Sequence, residues 1–321
     1  MRALLVTELT GPDGVRVVDI PEPSTTDRIL LRVHAVGLSF PDVLRSKGQY
    51  QQQATPPYSL GGEVAGVVIR APAGSGFQAG DRIAGSCVAG AAERAIMDPR
   101  DAIQLPESMS FEAGAALPLN YPTAILGLEM RGRMRPGETV LVHGAAGGTG
   151  TAATQVARAM ECRVFGVVSS EPKARAALES GADVVLRSDA EWKDRALELT
   201  DGRGVDLVWD PVGGDRVLDT MRALAPGGRW VVVGFTGGPI PSVPLNRVLL
   251  RNIDVVGSYI GGYLAQERDG RQRLNARLVE LLAGGHIRPV LGATYALEDG
   301  ADALRAIDAR QAIGKVVLRV A

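Results

Sequence analysis

Two cysteines, Cys87 and Cys162, among 321 residues leave no disulfide framework to read. Basic and acidic residues nearly cancel, 35 against 36, giving a formal charge of −1, and no block of Lys or Arg stands out. The electrostatic footprint of nucleic-acid or anionic-membrane binding is therefore missing. Aromatic residues are scarce at 4%, and there are only three histidines, His34, His143 and His286. None has a partner at the spacing of a metal site or a nucleophile–base pair, so each reads as structural. No apolar run approaches the ~18 residues of a membrane helix. The opening MRALLVTELTG has one Arg and an apolar patch that Glu8 interrupts, without the long core or cleavage site of a signal peptide. A cytoplasmic chain with a small-molecule partner, and neither nucleic acid nor membrane, is expected.

Glycine is what the chain has in excess. Its 40 glycines stand well above the usual share of ~7% and imply many tight backbone turns. The length favours two domains over one. Residues 1–113 read as β-rich: RALLVTEL, RILLRVHAVGL, EVAGVVIR and DRIAGS are short Val/Ile/Leu runs between Pro, Gly and Asp turns. Over 114–256, near-continuous apolar strands alternate with helical patterns: ETVLVH, RVFGVV, ADVVL, VDLVWD, RWVVVG and IDVVGS. Six such strands predict a parallel sheet covered on both faces, an α/β fold. Residues 257–321 predict helices at 272–283 and 298–310 and a last strand KVVLRV, without another glycine turn. This return segment is expected to complete the β-rich domain.

VHGAAGGTG, at 142–150, sits between a strand and an amphipathic helix, the context a dinucleotide turn requires. Gly147 would let the backbone approach a pyrophosphate, and Gly150 would let the helix pack on the strand. The helix start then offers unpaired N–H groups to the phosphates. The pattern departs from GxGxxG, because Ala145 occupies the first glycine's place. A carboxylate ~20 residues further on would mark NAD. Here the strand runs instead into Ser169, Ser170, Glu171, Pro172 and Lys173. Hydroxyls and a cation suit a 2′-phosphate by charge-assisted hydrogen bonds, and NADPH is expected over NADH. The alternative is that a serine merely caps the helix and Lys173 is a solvated charge.

With these elements in order, the chain resembles the zinc-independent quinone oxidoreductases, the zeta-crystallin-like branch of the medium-chain dehydrogenase/reductase superfamily. The resemblance spans nearly the whole length and rests on VGLSFPDVLRSKGQY, LGGEVAGVV, GDRIAG, LPLNYPTA, VHGAAGGTG, DPVGG, VVGF, IPSVPLNRVLLRN and GKVVL. It implies a Rossmann doubly wound sheet that binds NADPH, flanked by a discontinuous GroES-like substrate domain made from both chain ends. It implies cofactor contacts from Gly144, Ala145, Gly147, Gly148, Thr149 and Gly150 at the pyrophosphate, and from Ser169, Ser170 and Lys173 at the 2′-phosphate. Asn120 and Thr123 would lie beside the nicotinamide, with Gly234 and Phe235 in the loop after the fifth strand. It also implies a homodimer joined through the cofactor domain.

The zinc-using branch of that superfamily offers a contrast. Where it places a Cys-His pair this chain has Ser39 and Phe40, and its Gly-His-Glu becomes Gly61-Gly62-Glu63. No third ligand stands in LPLNYPTA, so no metal is expected. Without a Lewis acid, the suitable acceptors stabilise added charge by conjugation: quinones and α,β-unsaturated carbonyls. The proton is expected from solvent. Ser39 stands where the quinone reductases usually have Asn, and Leu44 where they often have Tyr. Tyr50 matches a pocket tyrosine, or else is a loop aromatic; Tyr121 is a second candidate proton donor or a core residue. Asp42 is expected to brace the loop carrying Tyr50. An enoyl-thioester reductase is the alternative enzyme, with Arg268, Arg271 and Arg273 as a basic mouth for CoA phosphates. A low-turnover NADPH-binding sensor or structural protein is the alternative of another class.

Overall fold

The six apolar runs form one parallel sheet in the computed structural model, which describes residues 1–189 and 191–320. From edge to edge it runs Val184–Arg187, Arg163–Val168, Thr139–His143, Val205–Asp210, Leu224–Val232 and Asp254–Gly257. Numbered along the chain, the strands lie 3-2-1-4-5-6, the order of a doubly wound dinucleotide fold. Helices Gly148–Ala159, Glu171–Glu179 and Val217–Ala223 pack on it, which is why its strands carry apolar residues in unbroken runs. Leu141, Phe165, Val208, Trp230 and Ile253 join in its core. Pro172 sits in the first turn of its helix, where its missing N–H costs little, and Gly181 ends that helix region at φ +104°.

The chain divides into two compact units, Met1–Leu119 with Pro289–Ala321, and Asn120–Arg288. The first unit is therefore discontinuous. Its larger sheet runs Leu291–Ala296, Lys315–Arg319, Ile29–Leu38, Glu63–Arg70, Arg82–Ser86 and Ala102–Gln104, with Arg94–Met97 also paired to the long strand Ile29–Leu38. A small sheet of Val15–Asp19, Arg2–Val6 and Tyr58–Ser59 completes it. Ile29, Leu31, Val64, Ile83, Leu304 and Leu318 share one core, so residues from both chain ends bury one another.

The second unit reaches further along the chain than 256. Helix Gly270–Ala283 buries Leu274, Leu278 and Leu281 and packs on helix Asn120–Ile125, and this places residues 257–288 with the parallel sheet rather than with the return segment. Helices Phe40–Ser46, Asn120–Ile125, Leu245–Arg251 and Ile260–Gln266 were not expected from the sequence. The first two carry Pro41 and Pro122, tolerated near a helix start, and the last contains Gly261 and Gly262, which weaken a helical pattern. Among the described residues no helix is long and apolar enough to cross a membrane.

Candidate functional site

The glycine turn separates into residues the protein itself requires and one it does not. Gly144 has φ +63°, a conformation that favours glycine. A Cβ on Gly150 would fall 2.1 Å from the Gly144 carbonyl oxygen and 2.8 Å from Ala145 Cα, so the helix packs on the turn only because that atom is missing. Ala145 itself is buried, its N–H donating to the Val167 carbonyl at 3.3 Å. Gly147 differs. It is the N-cap of helix Gly148–Ala159, with φ −80° and ψ 171°, and a Cβ there would meet nothing nearer than Gly144 O at 3.5 Å. Neither backbone nor neighbours demand glycine at 147. The turn leads into the N-terminus of that helix, whose first-turn N–H groups lack intrahelical partners, and Thr149 stands half-buried there. That shape and polarity fit a phosphate.

Helix Asn120–Ile125 packs on helix Gly148–Ala159 and carries two of the expected cofactor residues. Asn120 and Thr123 are 4% and 5% exposed. A Cβ on Gly148 would lie 2.7 Å from Asn120 Nδ2, so the amide lies against that glycine. Thr123 Oγ1 is buried with no hydrogen-bond partner, an unmet need of the kind a bound polar group satisfies. Tyr121 is a core residue. Its hydroxyl donates to Gln155 Oε1 at 2.8 Å, and burial pushes its pKa up, which favours the core role over the proton donor.

At the tip of strand Arg163–Val168, Lys173 Nζ donates to Ser169 Oγ at 3.3 Å. Ser170 is the N-cap of helix Glu171–Glu179, but its hydroxyl makes no capping hydrogen bond, and Ser169 lies exposed. The structure adds a cation that the sequence reading missed. Arg187, closing the neighbouring strand, donates to the Ser169 carbonyl at 3.2 Å while pairing with Asp189 at 2.9 Å. Only the sheet order brings it there. Gly234 and Phe235 follow strand Leu224–Val232, and a Cβ on Gly213 would lie 2.8 Å from Phe235 Cδ1. This loop is tied to the one after Val205–Asp210 by Thr236 N–H to Pro211 O at 3.0 Å and Gly237 N–H to Val212 O at 2.7 Å. Buried Asp210 accepts the N–H groups of Val212 and Gly213 and the Trp230 indole N–H.

The expected substrate-side residues lie in the first unit. Ser39 is the half-buried N-cap of helix Phe40–Ser46 and Tyr50 stands half-buried in the bend beyond it. Asp42 does not brace the loop of Tyr50 as expected. Its carboxylate accepts the N–H of Ser39 at 2.9 Å and of Gly61 at 3.2 Å, tying the helix start to the adjacent strand entry. Lys315, which the sequence reading passed over, donates to Ser39 Oγ at 2.6 Å and to Glu63 Oε1.

A doubly wound sheet, a glycine turn that opens a helix at its first strand and a separate β-rich unit define a dinucleotide-dependent oxidoreductase of two domains. Residues 25–107 match the family described as alcohol dehydrogenase GroES-like domain, and 148–280 the one described as zinc-binding dehydrogenase. The chain is 38% identical to quinone oxidoreductase-like protein 2 of Bos taurus over 321 residues, covering 99% of this chain and 92% of that protein. Among solved structures, the mycobacterial protein Rv1454c in complex with NADPH has a TM-score of 0.91 at 30% identity over 100% of both chains. Escherichia coli quinone oxidoreductase in complex with NADPH gives 0.89 at 27% identity, also over 100% of both. The chain belongs to the quinone oxidoreductase family of the medium-chain dehydrogenase/reductase superfamily.

The zinc in one of those descriptions does not fit the residues present. Ser39, Phe40 and Gly62 offer neither thiolate nor imidazole at the positions where zinc ligands are expected. Beside Ser39 and Glu63 the positive charge is already supplied by the ammonium of Lys315. Among the described residues no three His, Cys, Asp or Glu side chains cluster.

Proposed function

We propose that this chain is an NADPH-dependent, zinc-independent reductase that passes a hydride to a quinone or an α,β-unsaturated carbonyl. The observation that carries the cofactor half is the turn at Gly147, where neither backbone nor neighbours require glycine and a helix N-terminus begins with Asn120 lying against it. Bound nicotinamide supplies the hydride, and the chain supplies position and charge. Gly144, Ala145, Gly147, Gly148, Thr149 and Gly150 would hold the pyrophosphate, with Asn120 and Thr123 at the nicotinamide. Ser169, Ser170 and Lys173 would take the 2′-phosphate, joined by Arg187, and Gly234 and Phe235 would flank the cofactor. The unit Asn120–Arg288 is thus the cofactor domain, and the discontinuous unit, with Ser39 and Tyr50, receives the acceptor. Against the enoyl-thioester alternative, Arg273, one of its three arginines, is already paired with Glu267 at 2.6 Å.

The same reading includes a cytoplasmic homodimer. Strand Asp254–Gly257 is an edge of the parallel sheet, and Leu245, Leu249 and Leu250 beside it are 76%, 74% and 77% exposed. An open edge next to apolar side chains is a surface that a second copy would cover. Both cysteines are free thiols, as a reducing compartment would keep them.

The decisive experiment follows NADPH oxidation against simple quinones, enones and enoyl-CoA thioesters, with and without a chelator. Turnover of quinones or enones, unchanged by chelation, is expected. Turnover of the thioesters alone would transfer the reading to its alternative, and NADPH binding without any turnover would make the protein a sensor.

A further inference from the structure

The first unit buries an ion pair that the function above leaves unused. Lys315 and Glu63 are 2% and 3% exposed, and the ammonium donates both to Glu63 Oε1 and, at 2.6 Å, to Ser39 Oγ. Ser39 Oγ in turn donates to Glu63 Oε1 at 2.7 Å. The lysine arrives by crossing Gly37 of the central strand, whose register partners are Glu63 on one side and Val317 on the other. A Cβ on Gly37 would lie 2.6 Å from Lys315 Cε and 2.5 Å from the Ala115 carbonyl oxygen. The missing side chain opens the passage.

Such a pair is a poor source of stability, because desolvating two charges offsets most of their attraction. This one carries a further cost. Glu63 Oε2 is buried without a hydrogen-bond partner, so its desolvation is not compensated. Burial pushes the Glu63 carboxyl above its usual range against the pull of Lys315. The other charges facing the cluster are Asp42, buried beneath the Ser39 N–H, and Arg45 on the same helix. Of Ser39, Glu63 and Lys315, Ser39 alone is half-exposed, so the ammonium meets the surface of its unit through a hydroxyl.

We propose that Lys315 and Ser39 form a proton relay to the oxygen of the acceptor, with Glu63 as counter-charge; this rests on the reductase reading above. Hydride addition drives an electron pair onto the acceptor's carbonyl oxygen. That oxyanion takes the proton of Ser39 Oγ as its O–H swings away from Glu63, and Ser39 Oγ takes a proton from Lys315 Nζ. The lysine is left a neutral amine beside the carboxylate. After product departs, solvent returns one proton through Ser39. A quinone leaves as hydroquinone, and an enone as an enol that ketonises in water.

The test uses the full-length protein, NADPH and a series of substituted quinones. Ser39→Ala breaks the link but leaves the Lys315–Glu63 pair, so the fold survives, and unchanged NADPH binding by fluorescence verifies this. A fall in kcat of at least tenfold is expected with KM changed less than threefold, and the fall steepens as the hydroquinone oxygen becomes more basic. Ser39→Thr, which keeps the hydroxyl, restores the rate. A Ser39→Ala enzyme with wild-type kcat, one equally impaired toward every quinone, or a threonine variant without recovery overturns the relay alone. A wild-type protein that oxidises NADPH with no quinone or enone overturns the reductase reading, and the relay with it.

Discussion

Alanine at Gly147 and alanine at Gly150 should fail in opposite ways. At 150 the new methyl carbon would stand 2.1 Å from a backbone oxygen, well inside contact distance, so turn and helix must separate by about 1 Å or more. Overpacking of that kind costs ~1–3 kcal/mol, which lowers Tm by several degrees in a chain of this size. At 147 the backbone is extended and the nearest obstacle is 3.5 Å away. Alanine there is stabilising or neutral for the ligand-free protein, by about 0.4–1 kcal/mol, because it restricts the unfolded chain. The same methyl fills the space assigned to the pyrophosphate. NADPH affinity should fall at least tenfold, about 1.4 kcal/mol. Thermal unfolding without cofactor and fluorescence titration with it separate the two effects. Wild-type NADPH affinity in Gly147→Ala would refute the assignment of that space, and a wild-type Tm in Gly150→Ala would refute the packing argument.

Removing the Lys173 charge with Lys173→Ala should weaken NADPH by several-fold to tenfold and leave NADH untouched, narrowing the gap between them; equal losses for both cofactors would dissociate Lys173 from the 2′-phosphate. His143 yields a prediction about pH. It is buried against Thr220 and Trp192, and burial lowers its pKa to about 4, so the unfolded chain binds the extra proton first as pH falls. Between the unfolded value of ~6.5 and 4, stability should drop as pH drops, by up to about 3 kcal/mol. Below pH 4 the effect saturates. Denaturant titrations from pH 7 to 4.5 should show a shallower loss in His143→Gln; identical slopes would mean that another group dominates.

The cofactor half was legible because its signals are local. Strand, glycine turn and helix lie within thirty residues, and each glycine's role follows from its place in that unit. The apolar runs gave the sheet's strands for the same reason. What stayed hidden depends on pairing across the chain. Arg187 reaches Ser169 only because two strands lie side by side, and Lys315 meets Ser39 and Glu63 across 276 and 252 positions. No spacing rule connects such residues. Helix Asn120–Ile125 was missed because its proline looks like a breaker until Pro122 is placed in a first turn. Residues 257–288 were placed wrongly because a helical pattern does not say which sheet its apolar face will meet.

The crossing of Gly37 by Lys315 also sets an order of assembly. During synthesis the unit Asn120–Arg288 is translated before the strand that carries Lys315. Until then Glu63 has no ammonium to face, and the long strand Ile29–Leu38 lacks its partner on that side. The discontinuous unit thus closes last, and a nascent chain that stops short of residue 315 exposes a raw strand edge with an unmatched carboxylate at its centre.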